Sequence, residues 1–140
     1  MKIAIVISRF NEPVTRKLYA GCVERLQELN VVLDEADSCW VPGAVEIPVI
    51  AQRDAQRGYD AVICLGAVIR GETTHYDYVC QSVSYGCQRV ALDFDVPVIF
   101  GILTTENSDQ AFDRLGGAHG HKGRDAADTA IEMIRSAKFV

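Results

Sequence analysis

The chain has 140 residues, with 14 lysines and arginines against 19 aspartates and glutamates and a formal net charge of −5. That length is expected to form one domain, 1–140, able to bury roughly 70% of the surface of its unfolded chain without disulfide or metal staples. The mildly acidic balance argues against a nucleic-acid partner, which would need a basic stripe, and leaves only local anion sites.

The first apolar run, 3–7 (IAIVI), is unbroken and rich in β-branched residues, as suits a strand covered on both faces. It is too short for a signal-peptide core or a membrane span, so a cytoplasmic protein with no membrane partner is expected. A helix is predicted over 11–29, with Asn11 as N-cap, Pro13 in the first turn, and Val14, Leu18, Cys22, Leu26 and Leu29 at spacings of three or four. A second, shorter strand is predicted to begin at 31–33 and lead towards Trp40. The segment VPGAVEIPVIAQRDAQRG turns at Pro42 and Gly43 and becomes a helix with Pro48 in its first turn, closing at Gly58.

YDAVICLGAVI, 59–69, reads as a third, buried strand. Val79, Cys80, Val83, Cys87 and Val90 mark the next helix, 97–103 a fourth strand, and 107–115 a short helix. The last helix is predicted over 123–139, with Ala127, Ala130, Ile131, Ile134 and Ala137 on one face. The five cysteines (22, 39, 64, 80 and 87) are odd in number and contain no C-x-x-C pair, so they read as small hydrophobes of a reducing compartment.

Strand and helix alternate four times. The economical fold is α/β: a three-layer αβα sandwich around a four-stranded parallel, flavodoxin-like sheet. In such sheets ligands bind beyond the carboxyl ends of the strands. The segments at that edge are SRFN (8–11), WVPGAVE (40–46), IRGETTH (69–75) and TTEN (104–107), all suited to a polar, planar ligand. A flavodoxin proper would carry a glycine in the first of these, and a response-regulator receiver would end its third strand in aspartate, where Ile69 and Arg70 stand.

Gly71, Thr73 and Thr74 precede a helix, so free backbone N–H groups and two hydroxyls form a phosphate seat, or a threonine simply caps the helix. His75 follows, either as a proton carrier or as a structural histidine. DRLGGAHGHKGRD, 113–125, has three readings. It is a flexible cationic loop for a phosphate, with Arg114 and Lys122, a metal pair at His119 and His121, or a solvated turn. Phe10 and Phe100 stack on a heterocycle or belong to the core. Glu46 accepts from a polyol or favours a helix N-terminus.

Taken together, SRFN, WVPGAVEIP, GAVIRGETTHYDYV, FGILTTEN and HKG followed by AADTAIEM, in this order and spacing, resemble the lumazine synthases of riboflavin biosynthesis over nearly the whole chain. The resemblance implies condensation of two small-molecule substrates, 5-amino-6-ribitylaminouracil and 3,4-dihydroxy-2-butanone 4-phosphate, to 6,7-dimethyl-8-ribityllumazine, phosphate and water, with no metal and no cofactor. It implies a homo-oligomer, a pentamer or a 60-mer shell of pentamers, with each active site shared between neighbours. Carried over by residue, Phe10 stacks on the pyrimidine, and Asn11, Ala44 and Glu46 hold the ring and ribityl chain, with Val45 also at the substrate. Val68 and Ile69 line the pocket, Gly71, Glu72, Thr73 and Thr74 surround the phosphate, and His75 moves protons. Phe100, Arg114 and Lys122 come from the adjoining subunit. Two departures stand out. Typical members begin with a further strand that extends a neighbour's sheet, and His119 and His121 alter the usual loop pattern, so a pH-dependent phosphate affinity is expected.

Overall fold

The computed structural model describes residues 1–137. The four parallel strands are β1 (Ile3–Ser8), β2 (Ser38–Val41), β3 (Ala61–Ile69) and β4 (Val98–Thr105), in the order β2-β1-β3-β4. β1 and β3 are central and almost wholly buried, which is why their sequences are continuous apolar runs with no in–out alternation. Helices α1 (Glu12–Glu28) and α5 (Lys122–Ala137) cover one face of the sheet, α2 (Ile47–Gln56) and α3 (His75–Phe94) the other, and α4 (Ser108–Asp113) follows β4. The three-layer α/β architecture is the one expected. No helix among the described residues is long and apolar enough to cross a membrane.

Each face has its own core. Ile3, Ile5, Ile7, Ile63 and Leu65 meet Leu18, Cys22 and Leu26 of α1 and Ala127, Ala130 and Ile131 of α5. Val6, Val62 and Cys64 meet Ile47 and Ala51 of α2 and Val83 and Cys87 of α3. All five cysteines are free, and burial pushes the Cys22 thiol up to about 12. The predicted end of the last helix, at 138–139, and the side chain of Ala137 lie outside the described residues.

The second strand does not begin at 31–33. Val31 is buried and Val32 is 85% exposed, which imitates a strand's alternation, but that segment is unpaired. A 3₁₀ turn, Glu35–Asp37, intervenes: the Asp37 amide donates to the Asp34 carbonyl at 3.0 Å, and the Asp37 carboxylate accepts from the Asp34 amide at 2.8 Å and from the Tyr59 hydroxyl at 2.8 Å. The acid-rich turn uses backbone groups a strand would need. β2 starts only at Ser38.

Helix α2 is introduced by a 3₁₀ turn, Ala44–Glu46, has Pro48 in its first turn as expected, and stops just before Gly58, whose φ of +86° is left-handed. α2 and α3 approach so closely that a Cβ on Gly86 would lie 2.6 Å from Cγ of Pro48. Gly86→Ala adds about 1 kcal/mol of helix propensity, but overpacking against a rigid ring costs towards the upper end of about 1–3 kcal/mol. The expected result is a net loss of about 1–2 kcal/mol in urea unfolding; an unchanged or raised midpoint would show that the helices can separate without cost.

Candidate active site

The carboxyl ends of β1 and β3 open into a cleft of about 560 Å³. Its walls are built from the loops after β1, β2 and β3. Parallel pairing of β1 with β2 continues past Ser8 and Val41, because the Arg9 amide donates to the Val41 carbonyl at 2.8 Å and the Phe10 amide to the Pro42 carbonyl at 3.0 Å. Phe10 is thereby fixed at the rim and is 71% exposed, a large apolar residue lining the cleft with its surface uncovered.

Asn11 stands at the N-cap position of α1 but makes no side-chain cap bond. It adopts φ 63°, ψ 47°, a left-handed conformation asparagine tolerates, and its Nδ2 reaches across to donate to the Ala67 carbonyl at 2.8 Å. That bond ties the β1 loop to the floor formed by Ala67, Val68 and Ile69, and leaves the amide oxygen of Asn11 without a partner among the described residues. Gly43, Ala44, Val45 and Glu46 form the opposite wall.

The third wall is the start of α3. Its N-cap residue, Thr74, makes no side-chain cap bond, while Thr73 Oγ1 accepts from the His75 amide at 3.3 Å. The Thr73 bond is a turn at the helix entrance and not a cap, so neither threonine caps α3 with its side chain. Gly71, Thr73, His75, Tyr76 and Val79 face the cleft; Glu72 and Thr74 lie in the same loop without lining it. Arg70 braces this loop: its guanidinium meets Glu106 at 2.7 Å and Asp77 at 3.4 Å and lies 4.3 Å from the centre of the Tyr76 ring. Burial pushes the Tyr76 phenol above its ordinary range. Among the described residues, none that lines the cleft is lysine or arginine.

Phe100 and Lys122 are elsewhere. They line a second groove, about 710 Å³, along the free edge of β4 between α3 and α5, together with Leu92 and Met133. Arg114 lines neither cavity and caps the end of α4. The segment read as a flexible cationic loop, a metal pair or a solvated turn contains a two-stranded hairpin, β5 (Leu115–Gly117) and β6 (Gly120–His121), with Gly116 at φ +101° and Gly120 at φ +74°. Asp113 pins it, accepting from the Ala118 amide at 3.2 Å and pairing with His119 Nδ1 at 2.5 Å, and His119 holds the Asp113 carboxyl below the usual carboxylate range.

His119 and His121 are therefore engaged separately, His121 at the start of α5. No group of three or more histidine, cysteine, aspartate or glutamate side chains among the described residues is placed to hold a metal ion. Tyr76, Gly43, Ala67 and Val79 are cleft residues that the sequence reading did not assign to the site. Val79 follows His75 by four residues, so helical spacing was an available signal for it, whereas Tyr76, the next residue along, has no such signal.

An aromatic ring, a carboxylate and a helix N-terminus beside a histidine, gathered at the carboxyl edge of a parallel sheet, mark the chain as an α/β protein with its cleft where that fold class places ligands. Residues 1–138 match the family described as 6,7-dimethyl-8-ribityllumazine synthase. Proteins of that name from Coxiella burnetii are similar throughout: the one from strain Dugway is 57% identical over 140 residues, and the one from Nine Mile phase I 58%, each alignment covering 99% of this chain and 93% of the relative. The chain belongs to the 6,7-dimethyl-8-ribityllumazine synthase family. A de novo designed Rossmann fold protein superposes loosely, with a TM-score of 0.44 at 17% identity over 79% of this chain and 90% of its own.

Proposed function

We propose that the chain, acting as one domain over 1–140, condenses 5-amino-6-ribitylaminouracil with 3,4-dihydroxy-2-butanone 4-phosphate to 6,7-dimethyl-8-ribityllumazine, releasing phosphate and water. The observation that carries this reading is that the exposed ring of Phe10 and the N-terminus of α3 open into one cleft, a heterocycle platform beside an anion seat. The pyrimidine stacks on Phe10 while Asn11, Ala44, Val45 and Glu46 hold its edge and the ribityl hydroxyls. Val68 and Ile69 pack beneath it.

The amine and the ketone of the imine both belong to the substrates, so no enzyme nucleophile is required. The phosphate lies over Gly71, Glu72, Thr73 and Thr74, where backbone N–H groups and the helix dipole favour an anion. His75 takes a proton as the amine adds to the ketone and returns one as water leaves. It then assists removal of the C3 proton with loss of phosphate from C4, leaving a C3 enol that tautomerises to a C3 ketone and a new methyl group; the ribityl-bearing nitrogen attacks that ketone and a second water departs. Most of the acceleration comes from holding the two reactants in register, worth up to roughly 7–11 kcal/mol in favourable cases.

A phosphate dianion needs positive charge, and the described residues that line the cleft include no lysine or arginine. Arg70, the nearby guanidinium, is already shared by two carboxylates. In this reading the missing cations, Arg114 and Lys122, and a second aromatic, Phe100, come from the adjoining subunit, so the working form is a homo-oligomer. α3 offers support: Tyr78, Tyr85 and Leu92, spaced seven residues apart and each at least two-thirds exposed, make an apolar row suited to a neighbouring copy. The assembly proposed with it is a pentameric ring or a 60-mer shell of pentamers. A cytoplasmic location fits the free thiols.

The test is to mix the protein with the two substrates and follow lumazine absorbance and fluorescence above the spontaneous rate. Acceleration that disappears without the protein is the expected result; riboflavin formation from supplied lumazine in its place would overturn the reading.

A further inference from the structure

Arg114 and Lys122 sit eight residues apart yet form one structural unit. The Lys122 amide donates to the Arg114 carbonyl at 2.8 Å, and the next residues inward, Leu115 and His121, are paired across the β5–β6 hairpin. Asp113 ties the hairpin to α4, and His121 joins the unit to α5 and α1. The histidine directly precedes α5, and its Nδ1 accepts from the amides of Gly123 at 3.2 Å and Arg124 at 3.4 Å, the second and third positions of the helix, as an N-cap side chain does.

The ring is also wedged between helices. A Cβ on Gly21 of α1 would lie 2.2 Å from the His121 Cε1, and a Cβ on Gly123 would lie 3.1 Å from the same carbon and 2.2 Å from the Leu18 carbonyl oxygen. Two glycines thus create the slot that the imidazole fills.

We propose that His121 is the positioning residue for the two cations: unprotonated, it caps α5 and locks the hairpin to α1, so that Arg114 and Lys122 are presented together to the phosphate in the neighbour's cleft; protonated, it releases them. The proposal rests on the function proposed above. An imidazole that accepts at Nδ1 carries its proton on Nε2, and a second proton at Nδ1 abolishes both accepted bonds. The charged groups around it are Arg124 and Asp125 on α5 and Glu24 on α1, while the hairpin's other histidine, His119, is occupied by Asp113. Burial, with the Arg124 cation adding to it, pushes the His121 imidazole below its ordinary value. The contribution is then complete above the ordinary imidazole range and is lost as pH falls through it towards the depressed folded value.

Asparagine is the natural comparison, because its side chain caps a helix as well and does not titrate. The experiment compares the KM for the butanone phosphate and kcat between pH 7.5 and 5.5 in the wild type, His121→Asn and His119→Gln, with thermal unfolding of each followed over the same range. The substrate's own second ionisation near pH 6 is common to all and cancels in ratios. The expected result is that KM rises on acidification on the order of fivefold more in the wild type than in His121→Asn, the scale of one lost cap. Here kcat at saturation stays alike, the wild type melts earlier at pH 5.5 relative to His121→Asn, and His119→Gln follows the wild type. Parallel KM profiles in two active enzymes would overturn the proposal, as would a melting difference with no KM difference, which would make His121 merely structural. A wild type that does not condense the substrates at all would instead remove the proposed function, and with it the cations' role.

Discussion

His75→Ala is expected to lower kcat by about 10²–10⁴-fold, the usual contribution of a positioned proton carrier, with the KM for each substrate changed little. His75 is the first residue of α3, fixed by helical backbone, with its amide bonded to Thr73 Oγ1. It lines the cleft with Phe10 and Glu46, yet its removal leaves the platform, the floor and the helix N-terminus in place. The reaction also has a spontaneous route, since an amine and a ketone condense unaided, so an enzyme that orients both reactants retains much of its advantage without the imidazole. Steady-state kinetics with each substrate varied in turn measures this. A variant that binds both substrates with unchanged affinity but shows no turnover above background would mean that proton transfer, not orientation, carries the catalysis.

Much of the fold was legible because its signals were of the strong kind. β1 and β3 are central strands with both faces covered, so their uninterrupted β-branched runs had no competing reading, and α1 and α5 carry apolar residues at helical spacing under a sheet. The errors fall where local chemistry overrides pattern. Val31 and Val32 alternate like a strand, but the acids at 34, 35 and 37 close a 3₁₀ turn and move β2 to Ser38–Val41. The hairpin at 115–121 has strands of three and two residues, four glycines around them and no apolar alternation. Its order comes from Asp113 with Ala118 and His119, contacts that no periodicity announces.

The same holds for the cleft. Polar residues bunched after strand ends marked Asn11, Glu46, Thr73 and His75, and the structure brings them together. Tyr76 and Val79 look in sequence like ordinary helix-face residues and were not assigned, although both face the cleft. Residue type alone singled out Phe100, Arg114 and Lys122, and only the resemblance assigned them to the adjoining subunit; within one chain they stand apart from the cleft. Under the proposed shared site they act across a subunit boundary, and no argument from spacing along a single chain can place such residues.

That boundary yields the second large effect. Arg114→Ala is expected to raise the KM for the butanone phosphate by roughly 10- to 100-fold, the scale of one or two charge-assisted hydrogen bonds at about 1.5–3 kcal/mol each. The KM for the ribitylaminouracil should hardly move, because Phe10, Asn11 and Glu46 are untouched. The decisive form of the experiment combines the two variants. In the proposed ring of identical subunits each shared site takes His75 from one chain and Arg114 from the next. Mixed rings assembled at equal proportions from His75→Ala and Arg114→Ala chains therefore contain some sites with both residues intact. Random assembly makes these roughly a quarter of all sites, so activity at low butanone phosphate should return to about a quarter of the wild-type value although each parent alone is nearly inactive. Coexpression of the two variants with different tags and purification through both isolates the mixed rings. If His75 and Arg114 served one site within a single chain, no mixture could regain activity, because every chain carries a lesion; a mixed ring as inactive as its parents would sink the shared site.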